Sequence, residues 1–547
     1  MKPEDMKKSS LVLLVLTCLS FLIYARTLNY PFVFDDHHVI TENSIIRNLA
    51  NVPPLFVSAH MEPREKTSTS YRPFLYATYA LNYAVSGINP WSYRLFDILS
   101  HALCSFLVYL ISLIIIKERG DGNTWPAAAM AVLFCVHPAQ TESVIYVSAR
   151  SAELVCALFL ASVYFYLAAR TRPGSVLRER GLIAISLLAL ASALLTKETA
   201  AALLPFFFVL EYYFRKKKNA RISWAFPVLA TLMTVVYTVY RFYLIFGSDN
   251  GVKSDYIGHW ARWISRFPSY IRLLVIPFSQ SIEHPEADKI INIYLFIGMA
   301  VIAISIFLIL RQFRRKNYLI AAFLLLAALS FLPEFCFPIW DLVVDYRLYL
   351  PLAAFCIAGA AALARISAPR AVMTAKYGVV AASAIFLALS FFRAGAWASE
   401  KSLWGDAEAK YPTLVRPHNE LGIYYLKRGR FDKARMEFEI VLSLDPSFVK
   451  AYDNLGADYI RMGNFPKART ALLRGLTLVN LYSMRFNLET VYIKEGDDKA
   501  AMRNFAATRD GFPTHNVLRD FADIAVRLHR PDLAHAFAEA AAGQRNP

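Results

Sequence analysis

Two adjacent carboxylates, Asp35 and Asp36, stand in the run Phe34-Asp35-Asp36-His37-His38, directly after a first apolar stretch, Leu11 to Ala25. Like charges side by side repel, and at a membrane surface they gain nothing by packing. A structural purpose would need a cationic partner or a capping role. Two chemical readings remain. One acid can be a base, since repulsion raises the proton affinity of at least one of the pair, or both can hold a divalent cation, although two adjacent acids do not by themselves define a metal site. His37, His38 and Glu142 stand as orienting partners or rivals.

Further ionisable groups interrupt apolar sequence. Tyr71-Arg72-Pro73 lies in the loop after the first stretch, and Arg94 and Asp97 open the second. His137-Pro138-Ala139-Gln140-Thr141-Glu142 breaks the third, Arg150 and Glu153 enter the fourth, and Lys197-Glu198 lies between the fifth and sixth. Glu283-His284-Pro285 and Asp345-Tyr346-Arg347-Leu348-Tyr349-Leu350-Pro351 follow. Ionisable residues at membrane depth are costly and usually line an internal cavity. Any single set can equally be a salt bridge or helix cap, Lys197-Glu198 above all.

The elements that must position these groups are membrane helices. Of 547 residues, 56% are hydrophobic and 18% charged, against roughly 45 to 50% and 25% in soluble domains. Apolar segments near 94 to 116, 125 to 143, 151 to 169, 181 to 196, 200 to 214, 223 to 246, 291 to 310, 318 to 333, 348 to 364 and 377 to 393 join the first to predict eleven spans. Lys2, Lys7 and Lys8 precede the first, but no small-x-small cleavage site follows before Arg26, so it reads as a retained span. The net charge of +17 comes from short basic runs such as Arg215 to Lys218 and Arg311 to Lys316. With a cytoplasmic N-terminus, every such run falls inside, and every polar set above falls outside. That pattern argues for a membrane and against a nucleic-acid face. Phe74 to Val85 and His259 to Phe278 read as segments lying flat at the outer surface, aromatic rings in the acyl boundary. Six cysteines without a C-x-x-C pair point away from a disulfide framework or cysteine zinc module.

From Asn419 the chain repeats. Gly422, Tyr425, Gly429 and Ala434 recur one period later as Gly456, Tyr459, Gly463 and Ala468, then one period further on as Tyr492, Gly496 and Ala501. The spacing is the tetratricopeptide period, read as Gly and Ala at close helix approaches and Tyr between helices, with a fourth unit near Ala534 capping the stack. The division is a membrane domain over 1–397, a connector over 398–413 and three to four repeats over 414–547. The repeats carry no ionisable constellation of their own and offer a concave face for an extended peptide; the bland reading is a stabilising or dimerising appendage.

In this order, Phe34-Asp35-Asp36, the His137-Pro138 to Glu142 to Arg150 stretch, Lys197-Glu198, Glu283-His284-Pro285 and the Asp345 to Pro351 run, followed by the repeats, resemble the transmembrane and tetratricopeptide repeat O-mannosyltransferases and their bacterial relatives. Asp345-Tyr346 departs from the family pattern of Glu followed by His or Arg. The resemblance implies an all-α chain of the C-type glycosyltransferase superfold that takes a sugar, with mannose the family example, from a polyprenyl-phosphate carrier. It implies action outside the cytoplasm, on a protein hydroxyl delivered by the repeats. The membrane would be the bacterial inner membrane with periplasmic repeats, or that of the endoplasmic reticulum in a eukaryote.

Its chemistry needs one base and one phosphate clamp, because a lipid phosphate is already a good leaving group. The base is Asp35 or Asp36, with Asp36 slightly favoured and His137 and Glu142 beside it, and a single displacement inverts the anomeric centre. The donor phosphate falls to Arg72, Arg150, Arg347 and Lys197, since a guanidinium fork matches phosphate oxygens. Glu198, Glu283, His284 and Asp345 complete the candidates. No cofactor is required beyond the lipid-linked sugar, a divalent cation at Asp35 and Asp36 being the alternative. A lipid-linked glycan ligase, a noncatalytic envelope scaffold and a transporter are the rival functions, the last lacking a midplane broken-helix pair.

Overall fold

The computed structural model describes residues 3–57, 71–121, 123–171, 174–218, 225–246, 256–285, 291–337, 341–512 and 516–542, and among them helix is the only regular secondary structure. The chain forms two compact units, Met1–Leu403 and Trp404–Pro547.

All eleven apolar stretches are helical in the first unit: Pro3–Tyr24, Trp91–Glu118, Trp125–Val136, Arg150–Thr171, Val176–Leu194, Leu204–Lys218, Ala225–Phe246, Ile291–Arg314, Tyr318–Leu329, Tyr349–Leu363 and Pro369–Ala394. Seven described helices are long and apolar enough to cross a bilayer, or eight if a bent pair counts as one span. The other three fall short for identifiable reasons. Arg178, Glu179 and Arg180 charge the first turn of Val176–Leu194, Leu204–Lys218 ends in Arg215 to Lys218, and Tyr318–Leu329 has only 12 residues. The chain is an integral membrane protein.

The bent pair is Trp125–Val136 with Pro138–Ile145, at 53°. Its cause is local. Pro138 has no N–H to donate, and the residue before a proline is pushed out of the helical region; His137 accordingly sits at φ −71°, ψ 127°. The Trp91–Glu118 helix packs on Arg150–Thr171, Trp125–Val136, Tyr349–Leu363 and Pro3–Tyr24. Two of its buried polar groups bond internally and across helices: Ser105 Oγ donates to the His101 carbonyl, and His101 Nδ1 lies 2.7 Å from the Tyr349 hydroxyl.

Both segments expected to lie flat are helices, Pro73–Ser86 and Tyr256–Val275. The second departs from the sequence expectation. Trp263, Phe267 and Tyr270 turn inward onto Phe331, Leu342 and Leu348, while Trp260, at 40% exposure, faces outward. Burying aromatic area against protein replaces the expected lipid contact.

The second unit is an α-solenoid of helix pairs: Val415–Lys427 with Phe431–Leu444, Val449–Arg461 with Phe465–Leu478, Tyr482–Glu495 with Asp498–Gly511, and Val517–Arg527 with Pro531–Ala542. A Cβ on Gly422 would lie 2.4 Å from Phe438, and one on Gly456 2.4 Å from Leu472, so these glycines do permit close approach. Gly429 and Gly463 do something else. They end helices at φ +69° and +74°, a left-handed turn that glycine adopts without cost.

Candidate active site

The acid pair divides. Asp36 is wholly buried: Oδ1 accepts from Ser148 N at 2.8 Å and Ser148 Oγ at 2.9 Å, and Oδ2 faces Arg94 Nη2 at 3.6 Å. Burial pushes its carboxyl up, against the pull of Arg94 and Ser148. Asp35, its chain neighbour, is exposed. The turn that separates them starts at Phe34, a non-glycine residue held at φ +54°, a strained conformation of the kind that clusters at functional sites. Glu400 holds this turn, its Oε1 accepting from Phe34 N at 2.7 Å and lying 3.5 Å from His37 Nε2. Asp36, the acid slightly favoured as base from the sequence, is thus the buried and partnered member of the pair. Its Oδ1 already serves Ser148 and its Oδ2 faces Arg94, so it braces the loop.

Arg150, a candidate for the donor phosphate, is buried as well. Its Nε donates to Asp97 Oδ1 at 2.6 Å, Nη1 to Thr78 Oγ1 and Asn82 Oδ1, and Nη2 to the Tyr93 carbonyl and Asp97 Oδ2. With every N–H placed and no exposed surface, it has nothing left for a phosphate. His137 is likewise structural: Nδ1 accepts from Ala139 N at 3.2 Å while Nε2 donates to the Leu274 carbonyl at 3.2 Å, which caps the break it creates.

The other basic candidates gather. Arg72 Nη2 lies 2.9 Å from Glu198 Oε1, and Arg241 Nη2 lies 3.6 Å from Glu198 Oε2. Arg347 Nε lies 3.9 Å from Glu334 Oε1, and its Nη1 donates to the Tyr270 hydroxyl at 3.2 Å. Lys197 Nζ stands 5.3 Å from the centre of the Tyr346 ring. Burial pushes the Lys197 ammonium down to about 8, with Glu334 opposing and Arg72 assisting. Burial alone would raise the Glu198 carboxyl, but Arg72, Arg241 and Lys197 outweigh it and hold it well below the usual carboxylate range.

Two tyrosines join the acid loop to this cluster. Tyr146 stacks on Phe34 and Trp397 and interacts with Asp35, Asp36 and Tyr346, and Tyr346 in turn interacts with Arg347, Glu142 and Arg72. Glu142 is buried and accepts from Tyr346 N at 3.1 Å, so it shapes the Asp345 to Arg347 turn. His284 Nε2 meets Asp345 Oδ1 at 3.0 Å, and Glu283 and His284 line a cleft with Arg266 and Asp341. Sequence reasoning missed Arg241, Glu334 and Glu400. Arg241 carried a signal, a charge within an apolar run; Glu400 carried none, being one acid in a polar connector.

No family model matches the chain. It is similar to the protein O-mannosyl-transferase Tmtc1 of Drosophila melanogaster, 30% identical over 194 residues, which cover 34% of this chain and 21% of that protein. It is similar to human protein O-mannosyl-transferase TMTC3, 23% identical over 484 residues, covering 79% of this chain and 51% of the relative. The chain thus spans about half or less of the length of these relatives. Among solved structures, ArnT from Cupriavidus metallidurans bound to undecaprenyl phosphate matches with TM-score 0.41 and 16% identity, over 90% of this chain and 79% of that one. The likeness to protein O-mannosyl-transferases implied by the motifs is therefore present over most of the chain.

Proposed function

We propose that this chain is a membrane glycosyltransferase that moves a sugar, mannose by analogy with its relatives, from a polyprenyl-phosphate carrier to a protein hydroxyl outside the cytoplasm. The observation that carries the reading is the pairing of one exposed carboxylate, Asp35, on a strained and braced loop, with a cluster of basic groups reached through Tyr146 and Tyr346.

In the reaction, Asp35 accepts the proton of the acceptor hydroxyl as its oxygen attacks the anomeric carbon. The bond from that carbon to the phosphate oxygen breaks, and its electron pair leaves with the phosphate. Arg72, Lys197 and Arg347 hold the departing charge, and the anomeric centre inverts. The repeats present the acceptor. Their period accounts for most of their residues as helix packing, which leaves recognition as their part in transfer.

Asp35→Asn, in protein shown to be folded and to bind carrier, should slow transfer by roughly 10²-fold or more, the usual scale for losing a general base. Normal turnover in Asp35→Asn, or retention of anomeric configuration, would refute the mechanism. Transfer to a lipid-linked glycan with none to protein would replace the acceptor and keep the chemistry.

A further inference from the structure

The repeat unit was expected to hold no ionisable constellation, and the structure corrects this. Glu408, His418 and Glu437 each offer a ligand atom, all within 4.8 Å of one another. They come from three helices, Glu400–Lys410, Val415–Lys427 and Phe431–Leu444.

The period of the repeat separates what packing explains from what it leaves. One period after His418 stands Tyr452, whose hydroxyl donates to the Pro446 carbonyl at 3.2 Å. His418 Nε2 makes the equivalent bond to the Pro412 carbonyl at 3.0 Å. One ring nitrogen therefore does the work of the tyrosine hydroxyl. The other has no counterpart: Nδ1 lies 2.9 Å from Glu437 Oε2 and 3.9 Å from Glu408 Oε1. One period after Glu408 and Glu437 stand Leu442 and Ala471, so the helix stack needs no carboxylate at either place.

The ring chemistry then poses a definite question. With Nε2–H given to Pro412, a neutral imidazole aims its Nδ1 lone pair at two carboxylates, an arrangement of acceptors that holds only with a cation among them. We infer that the cation is a divalent transition-metal ion of the zinc class, bound by His418 Nδ1, Glu437 and Glu408.

Two features favour a metal over a proton. A backbone carbonyl on the far ring nitrogen is the usual way a ligating histidine is oriented and its tautomer fixed. Nδ1 and Glu437 Oε2, 2.9 Å apart, have to open by about 0.4 Å to share an ion held about 2.0 to 2.1 Å from each. The second carboxylate has no use in a simple imidazolium pair, whereas a tetrahedral ion calls for it. Donors around such an ion sit about 3.3 Å apart, so the Glu408 side chain, 37% exposed, has to close by roughly half an ångström. Imidazole among the ligands selects zinc, cobalt or nickel over magnesium and calcium. The ion would tie the helix leading into the solenoid to its first helix pair. It takes no part in glycosyl transfer, and the inference stands whether or not that reading does.

The test uses the full chain in detergent, carrying no histidine tag and stripped with chelator, titrated with Zn²⁺ by calorimetry and with Co²⁺ by its visible absorption. One equivalent is expected to bind. His418→Tyr and Glu437→Ala install the residues of the next pair, so the packing survives, and each should weaken that binding by roughly tenfold or more. Unchanged binding in both variants would place any metal elsewhere and overturn the inference. No binding to the wild-type chain would overturn it too, and identify the cation as a proton.

Discussion

Around Arg150 every guanidinium N–H has an acceptor and Asp97 uses both oxygens, all of it out of solvent. Around Lys197 four basic groups, Arg72, Lys197, Arg241 and Arg347, share the carboxylates Glu198 and Glu334, and most remain partly exposed. Both regions place charge where it is expensive, yet they differ in whether the polar pairing closes on itself. A closed set stabilises the helix junction and offers a ligand nothing. A set with surplus positive charge is stabilised further when an anion arrives.

The largest effect that would break this comparison comes from Arg150. Removing one partner of a buried pair typically costs about 3 to 5 kcal/mol, while replacing both by apolar groups is often close to neutral. Arg150→Met should therefore lower thermal stability sharply, and Arg150→Met with Asp97→Leu should regain much of it together with transfer activity. If the double variant is stable but no longer binds carrier, Arg150 holds phosphate and the distinction collapses.

A smaller loss is expected at the open cluster. Arg347→Lys exchanges a fork for a point charge, and Arg347→Ala removes it. Carrier affinity should fall by about tenfold in the first and more in the second, at little cost in melting temperature, and the gap between Arg347→Ala and the wild type should narrow as salt screens the lost charge. A stability loss as large as that of Arg150→Met, with carrier affinity intact, would make Arg347 another closed junction.

These contrasts also mark what could be read without coordinates. The helices were legible because apolar runs of about twenty residues have few alternatives, and the solenoid because its period repeats. The acid pair was legible as a candidate site, but not which acid is buried. That goes with Phe34 adopting φ +54°, a backbone choice with no signature in a phenylalanine. Arg150 and Arg347 look alike in sequence. They part only when Thr78, Asn82 and the Tyr93 carbonyl, from two other helices, are found on one of them.

Lys197 adds a pH dependence to the open cluster. Its ammonium, pushed down to about 8 by burial, loses its charge as pH rises through that value. Carrier affinity should therefore decline by a few-fold between about pH 7 and 9. Lys197→Arg, charged throughout, should flatten the profile. A wild-type profile flat over that range would remove Lys197 from the phosphate clamp.

The smallest effect, over any one pH unit, tests whether incomplete pairing always signals a ligand. Glu489 occupies the place in the third helix pair that Gly456 holds in the second, one repeat earlier, where a side chain would be expected to clash. It is fully buried; Oε2 accepts from Asn504 Nδ2 at 2.7 Å and Oε1 has no hydrogen-bond partner. Burial, with Asn504 opposing, pushes its carboxyl up to about 8 from an ordinary 4.5. Here the missing partner is a proton. Between pH 4.5 and about 8 the folded state holds that proton and the unfolded state does not. Stability of this pair is therefore greatest below the window and falls as pH rises through it, by at most about 1.4 kcal/mol per unit. Hydrogen exchange on the full chain reads this directly. Tyr482–Glu495 and Asp498–Gly511 should lose protection from pH 6 to 7 in the wild type, by roughly 1 kcal/mol more than in Glu489→Gln at the same two pH values. Equal protection in the two proteins would mean that Glu489 is charged and paired.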